Sequence, residues 1–164
     1  MDRIACIQTK ILDDRSLEIW LALVHFKKQK IVFTNGCFDI LHQGHVTYLS
    51  KAADAGDVLI IGLNSDSSVR KLKGSGRPVI GQESRAFLLA ALPFVSAVIL
   101  FDEETPYRLI EKVQPDILVK GSDYKPEEIV GYDIVKARGG KVLTIDFLEG
   151  YSSSSIINKI ADKK

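Results

Sequence analysis

The chain has 164 residues, enough for one domain with its own core and too few for two ordinary ones. Its 22 basic and 21 acidic residues leave a net charge of +1, which argues against a nucleic-acid groove or a polybasic membrane patch, since both need a charge asymmetry. Two cysteines make no disulfide framework, no apolar run reaches the length of a membrane span and the first residues show no signal pattern, so a protein of the reducing cytoplasm is expected.

In chain order, the first feature is a helix expected from about Asp14 to Lys28, with Leu17, Trp20, Leu21 and Val24 on one face. Residues 1–28 precede the first expected strand and read as an appendage, lying across the domain or at a subunit contact. Ile31-Val32-Phe33 is a short apolar, β-branched run expected to be a buried strand. A polar turn, Thr34 to Phe38, follows with Gly36 at its apex. A helix then begins at His42-Gln43-Gly44-His45, with Val46, Leu49, Ala52 and Ala53 spaced to face a core. A strand, a glycine turn and a helix N-terminus in succession form a phosphate-binding architecture, because free backbone N–H groups and the helix dipole point at one spot. Two imidazoles there add donors that can carry positive charge. With only Cys37 and Asp39 nearby they make a poor zinc set, and no protein-bound metal is expected.

Asp57 to Asp66 reads as a second buried strand ending in Asn64-Ser65-Asp66, and a helix between two such strands implies a right-handed parallel crossover. Ligands of such sheets bind beyond the carboxyl ends of the strands, which puts Asn64 and Asp66 on the same rim as Gly36. Residues 67–82 read as a polar, glycine-bearing loop, either a solvated connection or a Lys/Arg clamp able to close over a triphosphate. A helix is expected from Glu83 to Leu92, a third strand over Ala97–Phe101, a helix over 106–113 and a fourth strand from Pro115 to Lys120. That strand ends in Lys120-Gly121-Ser122-Asp123-Tyr124, again polar and on the carboxyl rim. A helix over 126–138 stopped by Gly139-Gly140, and a fifth strand over Lys141–Ile145, complete the alternation. Ser152, Ser153, Ser154 and Ser155 read as a linker in isolation. Followed at once by Ile156, Ile157 and Ile160, they read better as a capped helix start and a second anion cradle. The expected architecture is a single doubly wound, Rossmann-like α/β domain over 29–164, with five parallel strands and helices on both faces.

Gly36-Cys37-Phe38-Asp39-Ile40-Leu41-His42-Gln43-Gly44-His45 resembles the G-x-[FY]-D-x-x-H-x-G-H signature of the nucleotidyltransferase superfamily named for its HxGH motif. Within it, the cytidylyltransferases carry R-T-E-G-I-S-T-T-x-I near their end, where this chain has Phe147 in place of the arginine. The chain is more similar to the adenylyltransferases that make ADP-heptose. The likeness runs through the stretch from Thr34 to His45, Asn64-Ser65-Asp66, Leu72 to Pro78, Thr105 to Ile110 and Leu118 to Ile129.

The resemblance implies transfer of AMP from ATP to D-glycero-β-D-manno-heptose 1-phosphate, with release of pyrophosphate, by a stand-alone enzyme without a kinase domain. It implies that His42, His45 and Lys73 are catalytic, with Lys73 and Arg77 forming a mobile clamp. Thr34, Asn35, Gly36, Cys37, Phe38, Gly44, Arg77, Lys120, Gly121 and Ser152 to Ser155 would hold the nucleotide and its phosphates. Arg85 is a further phosphate candidate that could equally be a helix-surface ion pair. Asp39, Asn64, Asp66, Asp123 and Tyr124 fall on the substrate side, with Asp39 the orienter of its turn. Magnesium is expected to ride on ATP, and the protein to be a homodimer or higher homo-oligomer. A cytidylyltransferase for another polyol or sugar phosphate is the alternative.

Overall fold

The structure is a computed structural model that describes residues 2–161. The alternation of strands and helices expected from sequence folds into one parallel sheet with strand order β1-β4-β3-β2-β5-β6. The strands are β1 (Ile11–Leu12), β2 (Ile31–Gly36), β3 (Val58–Asn64), β4 (Ala97–Phe101), β5 (Ile117–Gly121) and β6 (Lys141–Ile145). The helices are α1 (Arg3–Gln8), α2 (Asp14–Phe26), α3 (Gln43–Ala53), α4 (Asp66–Lys73), α5 (Gln82–Ala90), α6 (Tyr107–Val113), α7 (Tyr132–Ala137) and α8 (Ser153–Ala161).

Alternating side chains of the central strands feed two cores, as period 2 requires. Ile31, Phe33, Ile60 and Leu118 face α2, α6 and α7, meeting Leu17, Leu21, Val24, Ile110, Val113 and Val135. Val32, Leu59, Ile61 and Val119 face α3 and α5, meeting Leu49, Ala52, Ala86 and Leu89. Both faces are therefore covered, and β3 is buried along all seven residues.

Four expectations need correction. The sheet has six strands, because Ile11 and Leu12 pair with Val98 and Ile99 at its edge. Two residues are too few to show any periodicity. With α2 giving Leu17, Leu21 and Val24 to the core, the segment before residue 29 is built into the domain rather than appended to it. Residues 67–73, read as the first part of a loop over 67–82, belong to α4. Ser65 caps it by accepting from the Ser68 N–H at 3.1 Å, and Gly74 at φ 92° ends it. Its exposed Arg70, Lys71 and Lys73 hide the single core contact, Val69. The long helix expected over 126–138 is broken into a 3-10 turn, Pro126–Glu128, and the short α7. Gly131 sits between them at φ 90°, where a Cβ would come within 2.7 Å of Ile110, so the chain turns left-handed there and packs down on α6.

Arg85 is the other correction. It was expected to be a phosphate ligand or a surface ion pair, yet its side chain is fully buried. Nε donates to the Ile80 carbonyl at 2.9 Å, Nη1 to the Cys37 and Asn64 carbonyls at 2.6 and 2.9 Å, and Nη2 to Asp66 Oδ1 at 2.7 Å. One planar fork thereby ties α5 to the glycine turn, the end of β3 and the start of α4, and its donors are spent on protein. Asp66, expected on the substrate side, is likewise held by this pair.

Removing such a buried partner strands three carbonyls and a carboxylate. Arg85→Ala is expected to lose about 3–5 kcal/mol of unfolding free energy in urea titration, and Arg85→Lys to recover only part of it. Unchanged stability in the alanine variant would show that the fork is not a structural tie.

Candidate active site

The sheet prepares a crevice before any side chain is considered. Going outward from β2, the chain adds β3 and β4 on one side and β5 and β6 on the other, so the order reverses between β2 and β5. Pairing of these two strands covers only Val32 with Ile117 and Phe33 with Leu118. Beyond those residues Thr34–Gly36 and Val119–Gly121 part. A cleft of about 540 Å³ opens over them.

Across the gap, Lys120 Nζ reaches the Asn35 carbonyl at 3.4 Å. Burial lowers the Lys120 ammonium to about 8, with the Asp123 carboxylate pulling the other way. Asn35 Oδ1 is buried in the cleft without a partner. Below the turn, the hydroxyls of Thr34 and Tyr48 meet at 2.8 Å, and burial raises the Tyr48 phenol to about 12. Thr34 is therefore a floor residue of the site, not a wall residue. Phe38 takes the left-handed conformation at φ 44°, and its ring lies against Gly36, where a Cβ would stand 3.0 Å from it.

The two imidazoles stand at the start of α3. His42 is the N-cap residue, and its Nδ1 accepts from the His45 N–H at 3.3 Å. That bond places the proton of a neutral His42 on Nε2, which is buried and unpaired among the described residues. The rings stack with centroids 3.8 Å apart. Among the described residues, His45 Nδ1 is also buried without a hydrogen-bond partner. Burial, then the charge of His42, push His45 down to about 4, while the Ile40 carbonyl opposes the shift and Lys73 adds to it. Burial lowers His42 as well. Both rings are thus neutral at pH 7, held close together, each with an unsatisfied nitrogen. An anion brought against them would favour a proton on the pair.

The start of α8 closes on the same place. Ser153 donates to the Ile40 carbonyl at 3.3 Å, and Ser152 caps the helix by accepting from the Ser155 N–H at 3.0 Å. Tyr151 lies over Gly44, where a Cβ would come within 3.0 Å of the Tyr151 Cβ and 3.1 Å of the His42 ring. Its hydroxyl donates to Gln43 at 2.8 Å. A side chain at position 44 would crowd both Tyr151 and the His42 ring. Two helix N-termini, with their N–H groups and hydroxyls, converge with the imidazoles. Such a set suits an anion with several oxygens.

Of the residues singled out from sequence, Asn35, Gly36, Cys37, Phe38, Asp39 and His45 line the cleft. So do Asn64, Lys73, Lys120, Gly121, Asp123, Tyr124 and Ser153. His42, Gly44, Ser152, Ser154 and Ser155 border it rather than line it. Arg85 and Asp66 belong to the structural tie described above, and Asp66 opens on a different hollow.

Arg77 departs from the mobile clamp expected of it. Its Nε lies 2.6 Å from Asp39 Oδ2, and only 14% of its side chain is exposed. The approach is off the hydrogen-bond direction, so the contact is an ion pair, and Nη2 stays unpaired. Asp39 Oδ1 meanwhile accepts from the Val79 and Ile80 N–H groups at 2.7 and 3.0 Å. Asp39 pins the loop that carries Arg77 to the glycine turn. Lys73, exposed at the end of α4, keeps the freedom to reach into the cleft.

Several lining residues carried no local signal. Tyr48 is one helical turn past His45, a position that reads as core. Glu104 and Pro106 enter from the β4–α6 connection, and Phe147 from the connection between β6 and α8.

Residues 33–159 match the cytidylyltransferase-like family. The bifunctional protein HldE of Geotalea uraniireducens is 53% identical over 149 residues, which cover 89% of this chain and 30% of that protein. HldE of Campylobacter jejuni subsp. doylei is 59% identical over 150 residues, covering 92% and 32%. The chain therefore spans roughly 30% of the length of these curated relatives. The crystal structure of the lipopolysaccharide core biosynthesis protein from Thermoplasma volcanium GSS1 superposes with a TM-score of 0.64 at 29% identity, over 74% of this chain and 99% of that one. Pantoate-beta-alanine ligase from Francisella tularensis shares the fold, with a TM-score of 0.57 at 18% identity, over 93% and 76%. With the family's match running from β2 to α8, through the glycine turn, both histidines and the serine-capped helix, the chain belongs to the cytidylyltransferase-like family.

Proposed function

We propose that this chain transfers AMP from MgATP to D-glycero-β-D-manno-heptose 1-phosphate, giving ADP-heptose, a lipopolysaccharide core precursor, and pyrophosphate. The observation that carries the reading is the stacked His42–His45 pair at the start of α3, with a buried, unpaired nitrogen on each ring and the serine-capped start of α8 beside it. The stretches of sequence that resemble ADP-heptose-forming adenylyltransferases support the choice of substrates, as do the relatives at 53 and 59% identity.

The sugar phosphate needs no general base, because the second pKa of a phosphate monoester is about 6 and the dianion is already a nucleophile. One of its oxygens attacks the α-phosphorus, the bond from that phosphorus to the bridging oxygen breaks, and pyrophosphate leaves with the electron pair. The protein's contribution is positioning and stabilisation of the charge that gathers on the α- and β-phosphates. His42 Nε2 and a protonated His45 supply donors to the phosphates, Lys73 adds a mobile charge, and Ser152 to Ser155 hold the β- and γ-phosphates. Lys120 and Asp123 stand on the nucleoside side. Magnesium enters as part of the substrate. No group of three His, Cys, Asp or Glu able to hold a metal occurs among the described residues, and the polyphosphate itself supplies oxygen ligands of the kind Mg²⁺ prefers.

The protein is further proposed to self-associate through α2, whose outward Ile19, Ala22, Leu23 and Phe26 form an exposed stripe at i, i+3, i+4 and i+7. Acidic residues begin this helix and His25, Lys27 and Lys28 end it, so two copies packed antiparallel set unlike charges together. Sedimentation should give a dimer that Leu23→Asp dissociates, and a monomeric parent would refute it.

A pyrophosphate-release screen crossing ATP, CTP and GTP with a panel of sugar 1-phosphates should select ATP and the heptose. Preference for CTP would overturn the adenylyl assignment. His45→Asn keeps the shape and one donor. It should bind ATP within a few-fold of the parent and lose roughly 10²–10³ in single-turnover rate. Unchanged turnover at saturation would make His45 a ground-state binder.

Both rings are neutral in the free protein and should gain protons as phosphate arrives. ATP affinity should therefore rise as the pH falls from about 8 to about 6, with proton uptake in calorimetry that His45→Asn reduces. The free protein runs the other way. A histidine whose folded pKa lies below its unfolded value contributes stability above about 6.5, and that stability is lost as the pH falls toward about 4.

A further inference from the structure

Phe147 is half exposed, at 52%, inside a concave cleft rather than on an open surface. Its ring rests on the backbone of Gly121, where a Cβ would stand 2.2 Å from both Cε2 and Cζ. Any other residue at the end of β5 would displace the ring. On its other flank it meets the Tyr48 ring at 5.7 Å, which the Thr34 hydroxyl holds in place. A large apolar ring has thus been seated and propped, yet left uncovered. Tyr124, the neighbouring exposed aromatic, already has the Lys120 ammonium 5.9 Å over its ring, whereas among the described residues Phe147 has no cation over its face.

Polar groups share the cleft with it. The Asp123 carboxylate abuts Gly121, with Oδ1 2.6 Å from where a Cβ would stand. Lys120 lines the same cleft with Nζ at the Asn35 carbonyl, so an acceptor and a donor accompany an apolar plane. That combination fits a flat heteroaromatic ring with hydrogen-bonding edges. Phe147 also shares one connection with the phosphate end of the site. It lies four residues before Tyr151, the residue over Gly44 and His42, so the two are separated by at most about 14 Å of extended chain. A single segment between β6 and α8 thereby carries an aromatic seat at one end and an anion cradle at the other, the two halves of a nucleotide.

We propose that Phe147, seated on Gly121 and braced by Tyr48, is the platform on which the nucleobase of the nucleotide substrate stacks. This rests on the nucleotidyl-transfer reading above and adds the residue that grips the base.

The test uses calorimetry on the parent, Phe147→Ala, Phe147→Tyr and Gly121→Ala, with ATP and, separately, with pyrophosphate, which has no base. Loss of one stacking face should weaken ATP binding roughly 5- to 150-fold in Phe147→Ala. Gly121→Ala should weaken it in the same direction, by unseating the ring. Phe147→Tyr should bind like the parent, and pyrophosphate should bind all four proteins alike. ATP affinity in Phe147→Ala within two-fold of the parent's would overturn the proposal. An equal loss for pyrophosphate would also overturn it, by showing that Phe147 merely shapes the cleft. So would a rise confined to the KM of the sugar phosphate, which would give the ring to the acceptor. A parent that binds CTP or GTP in place of ATP refutes the adenylyl assignment instead, and the same four-protein comparison with that nucleotide then decides the platform.

Discussion

The parting of β2 from β5 after two paired residues is the constraint on which the site depends. Parallel strands that stayed paired to their ends would seal the crevice with backbone hydrogen bonds. Here the chain leaves β2 through a glycine turn and a left-handed Phe38, and leaves β5 through Gly121 into a turn closed by the Tyr124 N–H on the Gly121 carbonyl. The freed backbone groups must find other partners. Lys120 reaches the Asn35 carbonyl and Arg85 reaches the Cys37 carbonyl, so cationic side chains stand in for the missing ladder.

Two buried ionic ties then hold the loops around the opening in register. Arg85 joins α5 to the ends of β2 and β3, and Asp39 joins the glycine turn to residues 77–80. Each acts through several short bonds to backbone, which fixes geometry better than a pair of side chains alone would. The division of labour among charged residues follows from burial. Arg85 and Arg77 are drawn inward to hold the frame, while Lys73 stays exposed at a helix end on the rim of the cleft.

The same division explains what was legible in the sequence. His42, Gly44 and His45 stand within four residues of one another and act through local geometry, so a strand, a glycine turn and a helix start were enough to place them. Ser152 to Ser155 were legible for the same reason, since capping is a local property. The role of Arg85 was not, because burial depends on how α5 docks against two strand ends far away in sequence. α4 was hidden by its composition, with three cations and two serines among its eight residues and Val69 its one buried apolar side chain. β1 was hidden by its length. Gly131 looked like one more residue of a helix until its contact with Ile110 showed that nothing larger fits.

Gly44 and Gly121 bring the two ends of the cleft under one rule. Each gives up a side chain so that an aromatic residue from the connection between β6 and α8 can lie against it: Tyr151 on Gly44, Phe147 on Gly121. Neither glycine has a positive φ, so backbone freedom is not the reason for either. Close approach is. The connection is thereby pressed onto the start of α3 at one point and onto the end of β5 at another, and these elements flank the crevice on opposite sides. A segment fastened at both points spans the opening that the parting strands create. Its position across the crevice is set by two absent methyl groups.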